Sequence, residues 1–66
     1  MIGRMPMPGR GERIRHAIHG HGRIISITRR DAKDVVVVSF ETAGVGIRDF
    51  QWDLAHHLFK PAPPIR

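Results

Sequence analysis

Short segments of alternating apolar and polar residues recur about every ten positions between Glu12 and Lys60. A period of two is typical of a β-strand that buries one face. β-branched residues, which favour strands, are frequent in these segments. We therefore predict strands at residues 12–17, 23–28, 35–40 and 45 to about 52, and a short closing strand at 58–60.

The clearest strand is the run of four valines that begins at Val35 and leads into Ser39 and Phe40. Successive β-branched residues are poor in a helix and pack well in a sheet. Because this run is apolar on both faces, we predict that it occupies a central position in the sheet.

Turns are indicated between these segments by glycines and by polar clusters. Gly20 and Gly22 permit positive φ and close backbone approach, so a turn is predicted at residues 19–22. A polar hairpin loop is predicted at residues 30–34, and a further turn at Ala43 and Gly44.

Residues 49–59 fit two patterns. Phe50, Leu54 and Leu58 recur at helical spacing behind Asp49, a residue that caps helices well. Phe50, Trp52 and Leu54 also alternate as in a strand. Both interpretations stay open. A combination predicts a strand to about Trp52, a helical turn over residues 53–57 and then the closing strand.

Together these elements predict an all-β fold, a small SH3-like or Tudor-like five-stranded barrel with a short helical turn near the C-terminus. A chain of 66 residues allows one domain. The barrel is predicted at residues 11–60. Glycine and proline indicate a flexible basic arm at residues 1–10 and a proline-rich tail at residues 61–66.

Composition argues against several classes of function. The chain has no cysteine, which removes disulfides and thiolate zinc sites. Ser26 and Ser39 have no positioned base, so nucleophilic catalysis is not predicted. The five histidines lack clustered acidic residues, so no metal and no cofactor are predicted. We expect a non-enzymatic protein.

Neither a membrane span nor a secretory signal is predicted. The apolar runs are too short to cross a bilayer, and residues 1–11 contain Arg4 and Arg10 but no apolar stretch. We expect a cytoplasmic location.

Positive charge is concentrated in the first half of the chain. The net charge is +5, and residues 1–30 contain seven arginines against one glutamate, whereas the second half is almost balanced. Arginine forms two parallel hydrogen bonds to phosphate or carboxylate. The distribution predicts either a nucleic-acid partner or an acidic protein partner.

One motif carries a family resemblance, formed by Gly11, Ile14, His16, Gly20, Gly22 and Ile24. It resembles the opening of the Tudor-like C-terminal domain of UvrD/PcrA-type DNA helicases. It also resembles the RNA polymerase-interacting domain of CarD and of the transcription-repair coupling factor. The later segment Val45-Gly46-Ile47-Arg48 is similar to a "V-G-I-K" segment of the helicase module.

This resemblance implies a bacterial or phage adaptor that binds a component of the transcription or DNA-repair machinery, with RNA polymerase as the expected partner. The alternative is direct binding of DNA or RNA by the arginine-rich first half. A structural protein that forms oligomers is a third hypothesis, and the sequence leaves the oligomeric state open.

The candidate residues fall into two groups. We predict that His16, Gly20 and Gly22 build the turn after the first strand, with the histidine ring donating to a backbone carbonyl. Contacts to a partner or to nucleic acid are predicted for Arg13, Arg15, Arg23, Arg29, Arg30, Arg48 and Trp52.

Overall fold

A computed structural model describes residues 7–62, and most of the predicted arm and tail lie outside this range. Five strands account for most of this range, and the rest includes one short helix and one 3-10 turn. The strands are β1 (Arg13–His16), β2 (Gly20–Arg30), β3 (Lys33–Phe40), β4 (Ile47–Gln51) and β5 (Phe59–Pro61). Helix α1 (Trp52–Ala55) and a 3-10 turn (His56–Leu58) lie between β4 and β5.

All five strands belong to one antiparallel sheet in the order β4-β3-β2-β1-β5. The prediction of a small, mostly β protein with five antiparallel strands and a short helical segment is therefore confirmed. Over residues 7–62, β4 and β5 form the two edges of the sheet, and no ladder between them closes it into a barrel.

The two edges nevertheless approach each other through their side chains. The rings of Phe50 on β4 and Phe59 on β5 lie edge to face with their centroids 5.0 Å apart. The sheet therefore curls around a single core of buried side chains. Its members are Ile14, Ile24, Val36, Val38, Phe40 and Phe59.

Strand β2 is longer than predicted at both ends, because it begins at Gly20, inside the predicted turn, and extends to Arg30. Gly20 pairs with His16, and Gly22 pairs with Ile14. The connection is therefore the three residues 17–19. A bulge between Ile24 and Ser26 shifts the register of β2 against β3. An extra residue at such a bulge bends the strand, which helps the sheet to curl.

The predicted loop at residues 30–34 is a two-residue turn. Arg30 pairs with Lys33, and the residues between them, Asp31 and Ala32, have φ of 50° and 64°. Two positive φ angles are characteristic of the type I′ turn, whose twist matches that of the flanking strands. The position of the hairpin agrees with the predicted loop, but its tight type I′ geometry was not predicted, because Asp-Ala lacks the Asn-Gly or Asp-Gly pair that favours such a turn.

For residues 49–59 the combined prediction is confirmed. The strand ends at Gln51, a single helical turn follows, and the chain returns to the sheet at Phe59. Pro61, predicted to begin the tail, is the last residue of β5. Proline is tolerated there because β5 is an edge strand, where a missing N–H leaves no ladder bond unmade.

Gly22 on β2 lies close against strand β3. A Cβ atom built on it would lie 2.7 Å from Cγ1 of Val38, 2.9 Å from Cδ1 of Phe40 and 2.9 Å from the backbone oxygen of Ser39. Real Cβ contacts are longer than this, so a side chain at position 22 forces β3 and the Phe40 ring outward.

We predict that Gly22→Ala lowers the free energy of unfolding by about 1–3 kcal/mol, the usual cost of overpacking a core. Urea unfolding followed by circular dichroism measures the change. Gly9→Ala is the control, because a Cβ there meets only the end of the flexible Glu12 side chain, at 3.3 Å. Equal stability of the two variants would contradict the close approach.

Candidate functional site

His16 lies at the centre of the aromatic part of the core, with 2% of its surface exposed. The rings of Phe40, Phe50 and Phe59 surround it, with centroids 5.9, 5.2 and 4.9 Å away. His19 stacks on it at 4.6 Å. The ring therefore contacts residues of β3, β4 and β5 as well as the β1–β2 turn.

The same ring holds the β1–β2 turn. Its Nδ1 accepts hydrogen bonds from the backbone N–H groups of Ile18 at 3.0 Å and His19 at 3.2 Å. The sequence predicted that the ring donates to a carbonyl, so the direction of the bond is reversed. An Nδ1 that accepts carries no proton, which places the proton of the neutral ring on Nε2.

Burial, and to a lesser extent the neighbouring His19, lower the pKa of His16. The geometry agrees, because a proton on Nδ1 would displace both backbone donors. Nε2 is buried and has no hydrogen-bond partner among the described residues. The ring lies among aromatic side chains, so a charged imidazolium would be poorly solvated there.

Gly20, the first residue of β2, follows the turn with φ of +83°, and a Cβ on it would lie 3.1 Å from Oγ1 of Thr42. That hydroxyl donates to the backbone oxygen of His19 at 2.9 Å. His16, Gly20 and Gly22 thus all have structural contacts in this corner of the sheet.

The opposite face of β1 and β2 is basic because the strands alternate. Ile14 and His16 point into the core, so Arg13 and Arg15 point outward. Cross-strand partners share a face, and the register pairs Arg13 with Arg23, and Arg15 with both His21 and Lys60. We call this group the cationic face, consisting of Arg13, Arg15, His21, Arg23 and Lys60.

One end of the cationic face is partly neutralised. Arg13 donates to both carboxylate oxygens of Glu41, from Nε at 3.0 Å and from a terminal nitrogen at 3.1 Å. The hydrogen bond from Arg13 holds the pKa of Glu41 below its usual value, and the same pair raises the pKa of Arg13. Arg23 instead donates to the backbone oxygen of Gly11 at 2.8 Å.

The other end of the cationic face borders a small cleft. The cleft has a volume of about 170 Å³ and lies between β1, the 3-10 turn and β5. Its lining residues are Arg15, Ala17, His57, Leu58 and Lys60. None of these side chains is acidic, so the cleft has a positive wall without a carboxylate.

The remaining predicted contact residues lie elsewhere. Arg29 and Arg30 are at the far end of the β2–β3 hairpin, where Arg29 pairs with Asp34 at 3.1 Å. Arg48 is on β4 and donates to the backbone oxygen of Val45 at 3.0 Å. Trp52 is half-buried, stacked on Phe59 with centroids 5.5 Å apart. The structure thus brings together only Arg13, Arg15 and Arg23 from the predicted contact set.

Sequence reasoning did not select His21, Lys60 or His57. Lys60 is 45 positions from Arg15 in the chain, and only the β1–β5 register makes them neighbours. Alternation along the closing strand was the one sequence signal for Lys60. It places Lys60 beside Arg15 only when the pairing of β5 with β1 is known.

The comparisons with known proteins give no match, either to a family model or to a curated protein or solved structure. No helix within residues 7–62 is long and apolar enough to cross a membrane. In the same range, no group of three or more histidine or acidic side chains is arranged to hold a metal ion.

The position of His16 predicts a pH-dependent stability. Because the folded pKa lies below the unfolded value of 6.5, the unfolded chain takes up a proton first as the pH falls. The contribution of a neutral His16 to the free energy of unfolding is complete above pH 6.5. It declines as the pH drops from there through the lower folded pKa.

Chemical unfolding of the wild type and of His16→Asn at several pH values measures this effect. Asparagine keeps an acceptor near the turn but does not titrate, so its stability should fall less on acidification. His57→Asn, which removes a histidine at an exposed position, is the matched control. An equal pH dependence of the wild type and His16→Asn would contradict the assignment, and an NMR titration of the wild-type ring checks it independently.

Proposed function

We propose that this chain is a non-enzymatic binding module whose cationic face contacts nucleic acid. The partner, DNA or RNA, is bound mainly through its phosphate backbone. The proposed interface lies on β1, the first part of β2 and β5. The opposite face of the sheet, which packs the core, has a structural role.

The fold class we propose is the SH3-like or Tudor-like barrel. Two features support it: the last strand pairs with the first, in the order β4-β3-β2-β1-β5, and a 3-10 turn comes directly before that last strand. Contact between Phe50 and Phe59 brings the two edges together. This arrangement is consistent with the resemblance to the helicase and CarD-type modules.

The single observation that carries the functional proposal is the composition of the cationic face. Three arginines, a lysine and a histidine share one side of three adjacent strands, and Glu41 is the carboxylate that contacts them within residues 7–62. Cations that line one face of a domain are the electrostatic footprint of nucleic-acid binding. Three of the four permanent charges are arginines, which bind phosphate through two hydrogen bonds.

The proposal predicts salt-sensitive binding to a single-stranded oligonucleotide of about 12 nucleotides, a length typical of small β-domains. Three to four phosphate contacts give a slope of log affinity against log salt of about −2 to −3. Affinity should therefore fall roughly 15- to 60-fold between about 50 and 200 mM salt. Fluorescence anisotropy measures both quantities.

Polyglutamate of matched charge is the control ligand, because it tests attraction to any polyanion. Weaker binding of polyglutamate than of the oligonucleotide supports recognition of phosphate. Absence of oligonucleotide binding at about 50 mM salt would refute the proposal, since charge contacts are strongest there.

A second candidate function is docking on the bacterial transcription or DNA-repair machinery, with RNA polymerase as partner. Beside the sequence resemblance, the open edge of β4 favours it: β4 pairs only with β3 in the part of the chain described. An open edge accepts a strand from a partner protein. Ile47 at the start of this edge is 63% exposed.

For this candidate we predict that a nuclease-treated bacterial lysate yields an RNA polymerase subunit on the immobilised protein. Ile47→Glu should abolish the capture, because a charge at the edge opposes strand addition. Leu54→Glu is the matched control, since Leu54 is equally exposed, at 67%, but lies on α1. Recovery of no polymerase subunit by the wild type would contradict docking.

A further inference from the structure

The cleft beside the cationic face is built by contacts between β1 and the 3-10 turn. The backbone N–H of Ala17 donates to the backbone oxygen of Leu58 at 2.8 Å, which fixes the turn against the end of β1. Register then places Lys60 directly opposite Arg15. The backbone therefore determines where both cations emerge.

Arg15 and Lys60 form an unfavourable pair by themselves. Like charges directly opposite each other on a sheet destabilise it. Over residues 7–62 neither side chain has a hydrogen bond or an ion pair with the protein. Arg23, Arg29 and Arg48, by contrast, each donate to an acceptor nearby. The donors of Arg15 and Lys60 therefore remain available to an external anion.

The size of the cleft limits what occupies it. Sites for whole small molecules have volumes of about 300–1,000 Å³. A cleft of about 170 Å³ holds one chemical group, and its apolar lining, Ala17 and Leu58, lies beside the cations. A phosphate group attached to a larger molecule fits both the volume and the charge.

We propose that this cleft binds one phosphate group of a nucleic-acid backbone, between the guanidinium of Arg15 and the ammonium of Lys60. That the phosphate belongs to a nucleic acid rests on the proposed function, whereas the binding of a phosphate group is argued from the cleft itself. An anion there also relieves the repulsion between the two cations.

The test compares two double variants that remove the same charges. Arg15→Gln with Lys60→Gln empties the cleft of its permanent charge. Arg30→Gln with Lys33→Gln is the matched control, since these residues are also an exposed cross-strand Arg–Lys pair but lie at the hairpin end. Thermal unfolding first checks that each variant folds, and single Lys60→Gln is available if the cleft variant does not.

For the cleft variant we expect oligonucleotide affinity to fall at least about tenfold near 50 mM salt. The slope of log affinity against log salt should become less steep by about 1.4, because two contacts to a single strand are lost. The hairpin variant should stay within about twofold of the wild type, with an unchanged slope. Equal losses in both variants would overturn the phosphate site while leaving nucleic-acid binding in place.

Inorganic phosphate provides the second arm. In the wild type it should shift the NMR signals of the Ala17, Leu58 and Lys60 amides, and in the cleft variant it should not. If the wild type binds no oligonucleotide but shows these shifts, the proposed function fails and the cleft stands as a phosphate site for another molecule. If the shifts are also absent, the cleft proposal fails as well.

Discussion

The structure depends on a neutral imidazole buried at the corner between β1 and β2. His16 accepts two backbone N–H groups of the turn through Nδ1 and packs among aromatic rings from β3, β4 and β5. One side chain therefore holds the turn of the first hairpin and also contacts both edge strands, through Phe50 on β4 and Phe59 on β5. In a chain this small, where burial is marginal, such a contact carries unusual weight.

The cationic face follows from that corner. Once His16 and Ile14 point into the core, strand alternation leaves Arg13 and Arg15 no other direction than outward. Pairing on both sides of β1 then adds Arg23, His21 and Lys60. Core packing and surface charge are thus set by the same register, because a slip of one residue would bury the arginines and expose the apolar side chains.

Much of this fold was predictable from periodicity, including five antiparallel strands and the helical turn before the last one. The bulge after Ile24 was not, because no residue pattern marks it. A hairpin loop at residues 30–34 was predicted, but not its type I′ geometry, because Asp31-Ala32 is not a residue pair typical of that turn. The site was predictable only in part. Arg13 and Arg15 follow from local alternation, whereas Lys60 joins them through a pairing between distant segments. Trp52 was predicted as a contact from its residue type, but its side chain is half-buried and stacks on Phe59.

The most direct test of the proposed nucleic-acid interface is a map of backbone amide shifts on addition of a single-stranded oligonucleotide. Binding through the cationic face predicts that the largest shifts fall in β1, residues 20–23 of β2, and β5. Small shifts are expected in β4 and at the tip of the β2–β3 hairpin. Shifts centred on β4 or on that tip would contradict the assignment of the cationic face.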